Sequence, residues 1–83
     1  MYRLVISPQA QKELKKLRKI DELPIKLALD EIKEDPMLGK PLSRELNRRF
    51  SYRVGVYRIV YKINQEDRVI NILSAGHRAT AYN

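Results

Sequence analysis

The sequence has 83 residues, of which 43% are hydrophobic, and a formal net charge of +7 at pH 7. This length fits one small domain, which we take to span residues 1–83. With no cysteine and one histidine, disulfides, thiolate sites and histidine-rich metal sites are excluded, and we expect no metal or other cofactor. No apolar run approaches the roughly 18 residues of a membrane span, and the N-terminus has no signal-peptide pattern, so we expect a cytoplasmic protein without membrane contacts.

The positive charge is concentrated in the second part of the chain. Residues 1–35 contain eight basic and seven acidic side chains, whereas residues 36–83 contain nine basic and three acidic ones. The second part is also rich in arginine, whose planar guanidinium pairs with phosphate in two parallel hydrogen bonds. A surface charged only for solubility would show a similar excess in both parts. The asymmetry therefore predicts a surface that faces a polyanion, most simply a nucleic acid.

The first part of the chain predicts a strand followed by a helix. A short β-rich run ends at Ser7 and Pro8, which suit the N-cap and the first position of a helix. Apolar side chains then recur with helical spacing at Ala10, Leu14 and Leu17. We expect this stripe to pack in the core.

A second helix is predicted around Pro24. Because proline is tolerated in a first turn and disfavours helical geometry at the preceding Leu23, we expect this helix to begin near Pro24. Proline and glycine at residues 35–41 end it and begin a loop. The two helices are expected to form an antiparallel hairpin, and the apolar stripe of the second one consists of Ile25, Ala28, Leu29 and Ile32.

The periodicity then changes to the alternation of a β-hairpin in residues 50–63. Gly55-Val56 has the glycine-first order of a type II′ turn. This turn fixes the register and places Arg53 opposite Arg58 on one face. The same register pairs Val54 with Tyr57, Tyr52 with Ile59, Ser51 with Val60, and Arg49 with Lys62. The other face is apolar and is expected to form the core, with Phe50, Tyr52, Val54, Tyr57, Ile59, Tyr61 and Ile63.

The opposed arginines point to a ligand. Like charges directly across a strand pair destabilise it by up to roughly 1 kcal/mol. One interpretation is a solvated outer face, on which the two guanidinium groups splay into water. The other is a phosphate clamp, because a bound polyanion converts the repulsion into two favourable contacts.

The last predicted strand completes the fold. Residues 64–67 form a turn, and residues 68–75 form a strand with Ile70 and Ile72 in the core. The order β-α-α-β-β-β predicts an α+β fold, in which an N-terminal helical hairpin packs on one face of a small, antiparallel-rich sheet.

Four segments together resemble the RelE/ParE superfamily of bacterial and archaeal toxins. They are SPQAQKELKKL from Ser7, DPMLGKPL at 35–42, YRVGVYRIVYKI at 52–63 and GHRATAY at 76–82. The resemblance implies a RelE-like fold and a toxin that is silenced by a cognate antitoxin. It further implies a metal-independent mRNA interferase, an endoribonuclease that inhibits translation by cutting mRNA in the ribosomal A site. In RelE-like members the 2′-hydroxyl attacks the adjacent phosphate.

The resemblance also implies the site residues. Arg58 matches the central arginine of the family, and Arg53 stands where the prototype has a lysine. Arg78 and Tyr82 match the arginine and tyrosine of the terminal motif, and His77 stands where some relatives have lysine. A second lysine of the prototype is replaced by glycine at position 55. Because the sequence ends at Asn83, antitoxin contacts through a C-terminal helix are not carried over.

Side-chain chemistry limits the roles of these residues. The arginines suit charge stabilisation, since their pKa above roughly 12 makes them poor acids and bases. Tyr82 suits stacking on an RNA base. His77 is a candidate general acid, because an ordinary histidine pKa of about 6.5 suits proton transfer. Five further basic residues of the second part are expected to bind RNA, namely Lys40, Arg44, Arg48, Arg49 and Lys62.

Two further functions fit the same residues. A ParE-like inhibitor of DNA gyrase would share the fold, although the Arg78 and Tyr82 pair favours RNA cleavage. A non-catalytic nucleic-acid-binding module would use the basic surface alone. For the toxin, the net charge predicts an antitoxin with an acidic, partly disordered segment that folds on binding.

Overall fold

A computed structural model describes residues 2–42 and 49–77. These residues form five strands, two α-helices and one 3₁₀ turn. In chain order the elements are β1 (Arg3–Ile6), α1 (Pro8–Lys15), α2 (Lys19–Glu34), the 3₁₀ turn (Pro36–Leu38), β2 (Lys40–Pro41), β3 (Arg49–Val54), β4 (Tyr57–Asn64) and β5 (Val69–His77). No helix in this part of the chain combines the length and the hydropathy needed to cross a membrane.

The strands form one mixed sheet with two helices packed against it. The strand order is β1-β5-β4-β3-β2, in which β1 runs parallel to β5 and the other neighbours are antiparallel. The predicted α+β fold with an antiparallel-rich sheet is therefore confirmed. The two-residue strand β2 was expected to be loop, because Lys40-Pro41 is too short to show an alternating pattern.

The core lies between the sheet and the helices, where the sequence predicted it. Ile25, Ala28 and Ile32 of α2 are buried against the sheet. The apolar face of β3 and β4 points toward them, as expected. Its buried members are Phe50, Ile59 and Tyr61, and the partly buried ones packed against them are Tyr52, Val54, Tyr57 and Ile63. Ile70 and Ile72 of β5 are fully buried, as predicted.

Helix α1 begins at Pro8 and covers an edge of the sheet. The Ser7 hydroxyl accepts a hydrogen bond from the amide of Ala10 at 3.1 Å, as expected of an N-cap, and donates one to the carbonyl of Leu73 at 3.0 Å. A Glu13 carboxylate oxygen accepts from the amide of Ala75 at 2.9 Å. Since β1 pairs only with residues 69–72, these contacts occupy backbone groups of β5 beyond the end of β1.

The predicted start of α2 near Pro24 is wrong, because the helix begins at Lys19 and includes Leu23. Pro24 removes only the hydrogen bond to the carbonyl of Ile20. That residue lies in the first turn, and its side chain is 75% exposed, so water can reach this carbonyl. The start of the helix is also held by a 2.9 Å ion pair between Arg18 Nε and Asp21 Oδ2. The hydrogen bond from Arg18 lowers the pKa of Asp21.

Candidate nucleic-acid interface and active site

The turn between β3 and β4 has the predicted type II′ character. Gly55 has φ of 58°, in the region that favours glycine, whereas Val56 does not have positive φ. A Cβ atom at Gly55 would have no neighbour within 4 Å, so backbone conformation, and not space, requires glycine here. The turn sets the predicted register, in which Arg53 lies opposite Arg58.

Basic side chains from three strands share the face of the sheet that points away from the helices. The register adds Arg49 opposite Lys62 to the pair of Arg53 and Arg58. Strand β2 adds Lys40, which lies opposite Ser51 of β3. The structure therefore brings together five of the predicted site residues on one face, namely Lys40, Arg49, Arg53, Arg58 and Lys62.

Part of this face is concave. A groove of about 520 Å³ runs between β2 and the end of the β3–β4 hairpin. Its polar lining consists of Lys40, Ser51, Arg53 and Arg58, with Tyr52 beside them, and its apolar lining consists of Leu38, Pro41 and Leu42. Three cationic side chains around one open groove suit a phosphate group of a single-stranded nucleic acid.

Ser51 lines the groove, although the sequence did not single it out as a candidate site residue. Only 6% of its surface is exposed, and its hydroxyl makes no hydrogen bond to any group in the described parts of the chain. Leaving such a group without a partner costs about 1–3 kcal/mol. Ser51 lines the groove together with Lys40 and Arg53, but its hydroxyl oxygen is itself buried from solvent. Its position on the basic face of the predicted register was the available signal.

A buried tyrosine fixes the wall of the groove. The Tyr61 hydroxyl donates to the carbonyl of Pro36 at 2.7 Å and accepts from the amide of Gly39 at 2.9 Å. Burial raises the pKa of Tyr61, so the hydroxyl stays protonated and able to donate. A Cβ atom at Gly39 would lie 2.5 Å from this hydroxyl oxygen, so only glycine fits. The two hydrogen bonds hold the 3₁₀ turn and thereby the position of Lys40.

His77 lies on the opposite face from the arginine pair. It pairs with Tyr57, and their rings meet edge to face with centroids 6.1 Å apart. Tyr57 faces α2, where its hydroxyl donates to Asp21 at 3.1 Å. The register thus does not support proton transfer from His77 to a phosphate bound between Arg53 and Arg58.

Four predicted site residues lie outside the described residues, namely Arg44, Arg48, Arg78 and Tyr82. Their roles stay predictions. Strand β5 does lead toward the arginine pair, because Gly76 lies opposite Arg58 and the strand ends one residue later.

Comparison with known proteins identifies the family. The family described as "ParE toxin of type II toxin-antitoxin system, parDE" matches residues 4–82. The chain belongs to the RelE/ParE superfamily of toxins. The toxin is also 36% identical over 83 residues to Toxin RelG of Mycobacterium tuberculosis, covering 98% of this chain and 95% of that protein.

Solved toxin–antitoxin complexes share the fold of this toxin. The RelBE2 complex of Mycobacterium tuberculosis matches with a TM-score of 0.78 and 35% identity, over 93% of this chain and 98% of that chain. The intact E. coli RelBE complex matches with a TM-score of 0.80 and 26% identity, over 93% of this chain and 96% of that chain. The toxin is therefore RelE-like in fold, as the sequence predicted.

Proposed function

We propose that this toxin is a ribosome-dependent endoribonuclease that cuts mRNA in the A site and is neutralised by a cognate antitoxin. The observation that carries the proposal is the open groove that Lys40, Arg53 and Arg58 line together. The similarity to RelG and to RelBE complexes supports this class of toxin. Action on the ribosome implies the cytoplasm as its location.

The proposed reaction is cleavage by the RNA's own 2′-hydroxyl. Its oxygen bonds to the adjacent phosphorus and loses its proton, the bond from phosphorus to the 5′-oxygen breaks, and that oxygen gains a proton. A 2′,3′-cyclic phosphate remains on the upstream fragment. Negative charge on the phosphate oxygens rises in the transition state, and preorganised cations that face those oxygens stabilise it. Arg53 and Arg58 take this role, assisted by Lys40 and by Arg78, whose part rests on the match to the terminal motif of the family.

The described residues of the groove offer charge stabilisation but no clear group for proton transfer. In the described part of the groove, no side chain has an ordinary pKa near neutrality, because its ionisable lining is lysine, tyrosine and arginine. We infer that the toxin contributes chiefly charge stabilisation and alignment of the RNA. The ribosome or the segment at 78–83 then supplies the proton carriers.

Cleavage mapping with Arg58→Ala tests this proposal. Expression of the parent should arrest growth and produce new mRNA 5′ ends at codon positions occupied by ribosomes. Removing one cation of such a site is expected to lower cleavage by about 10²-fold or more. Arg3→Ala is the matched control, since Arg3 is also an exposed strand arginine but lies in the distant edge strand β1. Full cleavage by Arg58→Ala would rule out the groove as the active site.

Inhibition of DNA gyrase is the second candidate, because the matching family is described as a ParE toxin. A supercoiling assay with purified gyrase separates the two functions. Loss of supercoiling together with intact mRNA would replace the endoribonuclease proposal. If neither activity is found and growth continues, a binding module remains.

A further inference from the structure

In the described chain, the last residues of β5 lie between β4 and helix α1. Strand β1 pairs only with residues 69–72, so β5 continues to His77 without its parallel neighbour. Over this stretch β4 still pairs with one edge of β5. At the other edge, the amide of Ala75 donates to Glu13 Oε1 at 2.9 Å. The end of β5 is thus held from α1 by a side-chain carboxylate.

Glu13 occupies a position that helix stability alone does not favour. It is the acidic residue of α1, and it lies between Lys12 and Lys15 in the last turn of that helix. The partial negative charge at a helix C-terminus favours lysine there and disfavours a carboxylate. A carboxylate does, however, make a stronger hydrogen bond to a backbone amide than a neutral acceptor makes. The contact with Ala75 therefore accounts for a glutamate at this position.

The second carboxylate oxygen of Glu13 fills the space beside the next residue, Gly76. A Cβ atom at Gly76 would lie 2.7 Å from Glu13 Oε2 and 3.4 Å from Glu13 Cδ. The carboxylate would have to move, and this movement would pull Oε1 away from the amide of Ala75. Gly76 does not have positive φ, so space, and not backbone conformation, requires glycine here. Glu13 and Gly76 therefore depend on each other.

This contact lies beside the proposed active site. Gly76 lies directly opposite Arg58, which lines the basic groove. Strand β5 ends at His77, and the next residue is Arg78, which the match to the terminal motif of the family assigns to the site. Because three residues span at most about 11 Å, the backbone of Arg78 starts close to the amide that Glu13 holds. A shift of the strand end therefore moves the starting point of Arg78 and the neighbour of Arg58 together.

We propose that Glu13 is a positioning residue for RNA cleavage, because it fixes the end of β5 and thereby aligns the terminal motif with the arginine pair. Glu13 does not line the basic groove, so it acts through Ala75 and Gly76. The proposal rests on the proposed function, since this alignment matters only if the groove cleaves RNA. A misplacement of about 1 Å caused by a residue remote from the chemistry can lower a rate by about 10²-fold. Loss of the contact should therefore slow cleavage far more than it weakens ribosome binding.

Single-turnover cleavage of mRNA on ribosomes with a sense codon in the A site tests this role. Glu13→Ala removes the acceptor of the Ala75 amide, and the rate at saturating ribosomes should fall by about tenfold to 10²-fold. Glu13→Gln keeps an oxygen that can accept the same hydrogen bond, so its rate should stay within about threefold of the parent. The ribosome concentration that gives half the maximal rate should change by less than about twofold in both variants.

Ser7→Ala is the matched control, because Ser7 also ties α1 to β5. Its hydroxyl donates to the carbonyl of Leu73 at 3.0 Å and caps α1, but it lies further from Gly76 along the strand. Ser7→Ala should lower the unfolding temperature at least as much as Glu13→Ala does, yet leave cleavage per folded molecule within about twofold of the parent. Equal rates for Glu13→Ala and the parent, no rescue in Glu13→Gln, or an equal loss in Ser7→Ala would each overturn the proposal.

Gly76→Ala tests the same contact from the side of the strand. Its Cβ atom should displace the carboxylate from the amide of Ala75 and slow cleavage as Glu13→Ala does. Since both changes remove one contact, the double variant should be within about threefold of the slower single variant. A loss equal to the product of the two single losses would overturn the proposal. If Gly76→Ala does not fold, the variants at Glu13 and Ser7 decide the question.

Hydrogen exchange separates this proposal from the proposed function. The amide of Ala75 should exchange about tenfold faster or more in Glu13→Ala than in the parent, whereas amides of β4 should keep their protection. If the parent cleaves no mRNA, the proposed function fails, and the exchange at Ala75 still tests whether Glu13 fixes the strand end. If the parent cleaves mRNA and Glu13→Ala exchanges faster without a lower rate, the positioning role fails and the nuclease stands.

Discussion

Tyr61 connects the core of the toxin to its basic groove through one hydroxyl group. In Tyr61→Phe the ring can stay in place, but the amide of Gly39 and the carbonyl of Pro36 lose their buried partner. We expect the free energy of unfolding to fall by about 1–3 kcal/mol. Urea denaturation measures this change.

Two observations check that assignment. Tyr52→Phe removes a hydroxyl that bonds to exposed Glu31 at 3.1 Å, so it should cost less than about 1 kcal/mol. RNA cleavage by Tyr61→Phe should decrease because Lys40 is less well placed, and the decrease should persist at temperatures where the variant is fully folded. A fully active, equally stable Tyr61→Phe protein would contradict the role given to the hydroxyl.

The position of His77 leads to a prediction about pH. A true general acid contributes about 10²- to 10⁴-fold to a rate. Because His77 packs on Tyr57 across the sheet from Arg58, we expect His77→Gln to retain cleavage within about threefold of the parent, well below that range. The pH profile of cleavage on ribosomes should keep its shape. A hundredfold loss, or the disappearance of a limb of the profile near pH 6.5, would restore His77 as the acid.

At the scale of elements, we propose that the arginine pair of the β3–β4 hairpin lowers stability but serves binding. Arg53 faces Arg58 directly, and cross-strand repulsion of this kind costs up to about 1 kcal/mol. Arg53→Thr should therefore raise the free energy of unfolding by a few tenths to about 1 kcal/mol, since threonine also suits a strand. The same change should lower cleavage by about 10²-fold.

Measuring the free energy of unfolding and the cleavage rate together tests whether the arginine pair is a phosphate clamp. Arg3→Thr, in the edge strand and opposite Val69, should alter neither quantity appreciably. If Arg53→Thr is both less stable and fully active, the arginine pair is a structural feature and the clamp interpretation is wrong.

Elements with a local signal could be predicted from the sequence, and those without one could not. Gly55-Val56 specifies both the turn and the register of the hairpin. The position of Arg53 opposite Arg58 could therefore be predicted directly from the sequence. The start of α2 was missed because exposure of the first turn reduces the cost of Pro24. Strand β2 was missed because two residues have no periodicity. Without β2, neither the placement of Lys40 nor the partner of Tyr61 could be inferred.

At the scale of the whole molecule, the sheet separates two surfaces of opposite character. One face presents cations from three strands, while the solvent side of α2 presents leucines and carboxylates. Salt should weaken the binding of RNA to the first surface. If the three groove cations each contact one phosphate, the affinity for a labelled single-stranded RNA should fall with a log–log slope of about −2 against salt concentration.

Two variants test which side chains cause the salt dependence of RNA affinity. Arg58→Ala should make the slope shallower by about 0.7, which corresponds to one phosphate contact. Leu27→Ser should leave it unchanged, because Leu27 is not among the residues that line the basic groove. Fluorescence anisotropy at several KCl concentrations provides these values, and an unchanged slope in Arg58→Ala would mean that RNA binds elsewhere.

The pairing of β1 with β5 has a consequence for when the toxin becomes harmful. Strand β1 is among the first residues to be synthesised, yet its parallel partner is residues 69–72, and α1 is held by Leu73 and Ala75 of the same late strand. Contacts between such distant segments form only after the intervening chain exists. During its own synthesis the polypeptide therefore lacks β5, the strand that lies between β1 and β4 in the sheet. A folded copy of the toxin can therefore form only after nearly the whole chain has been synthesised.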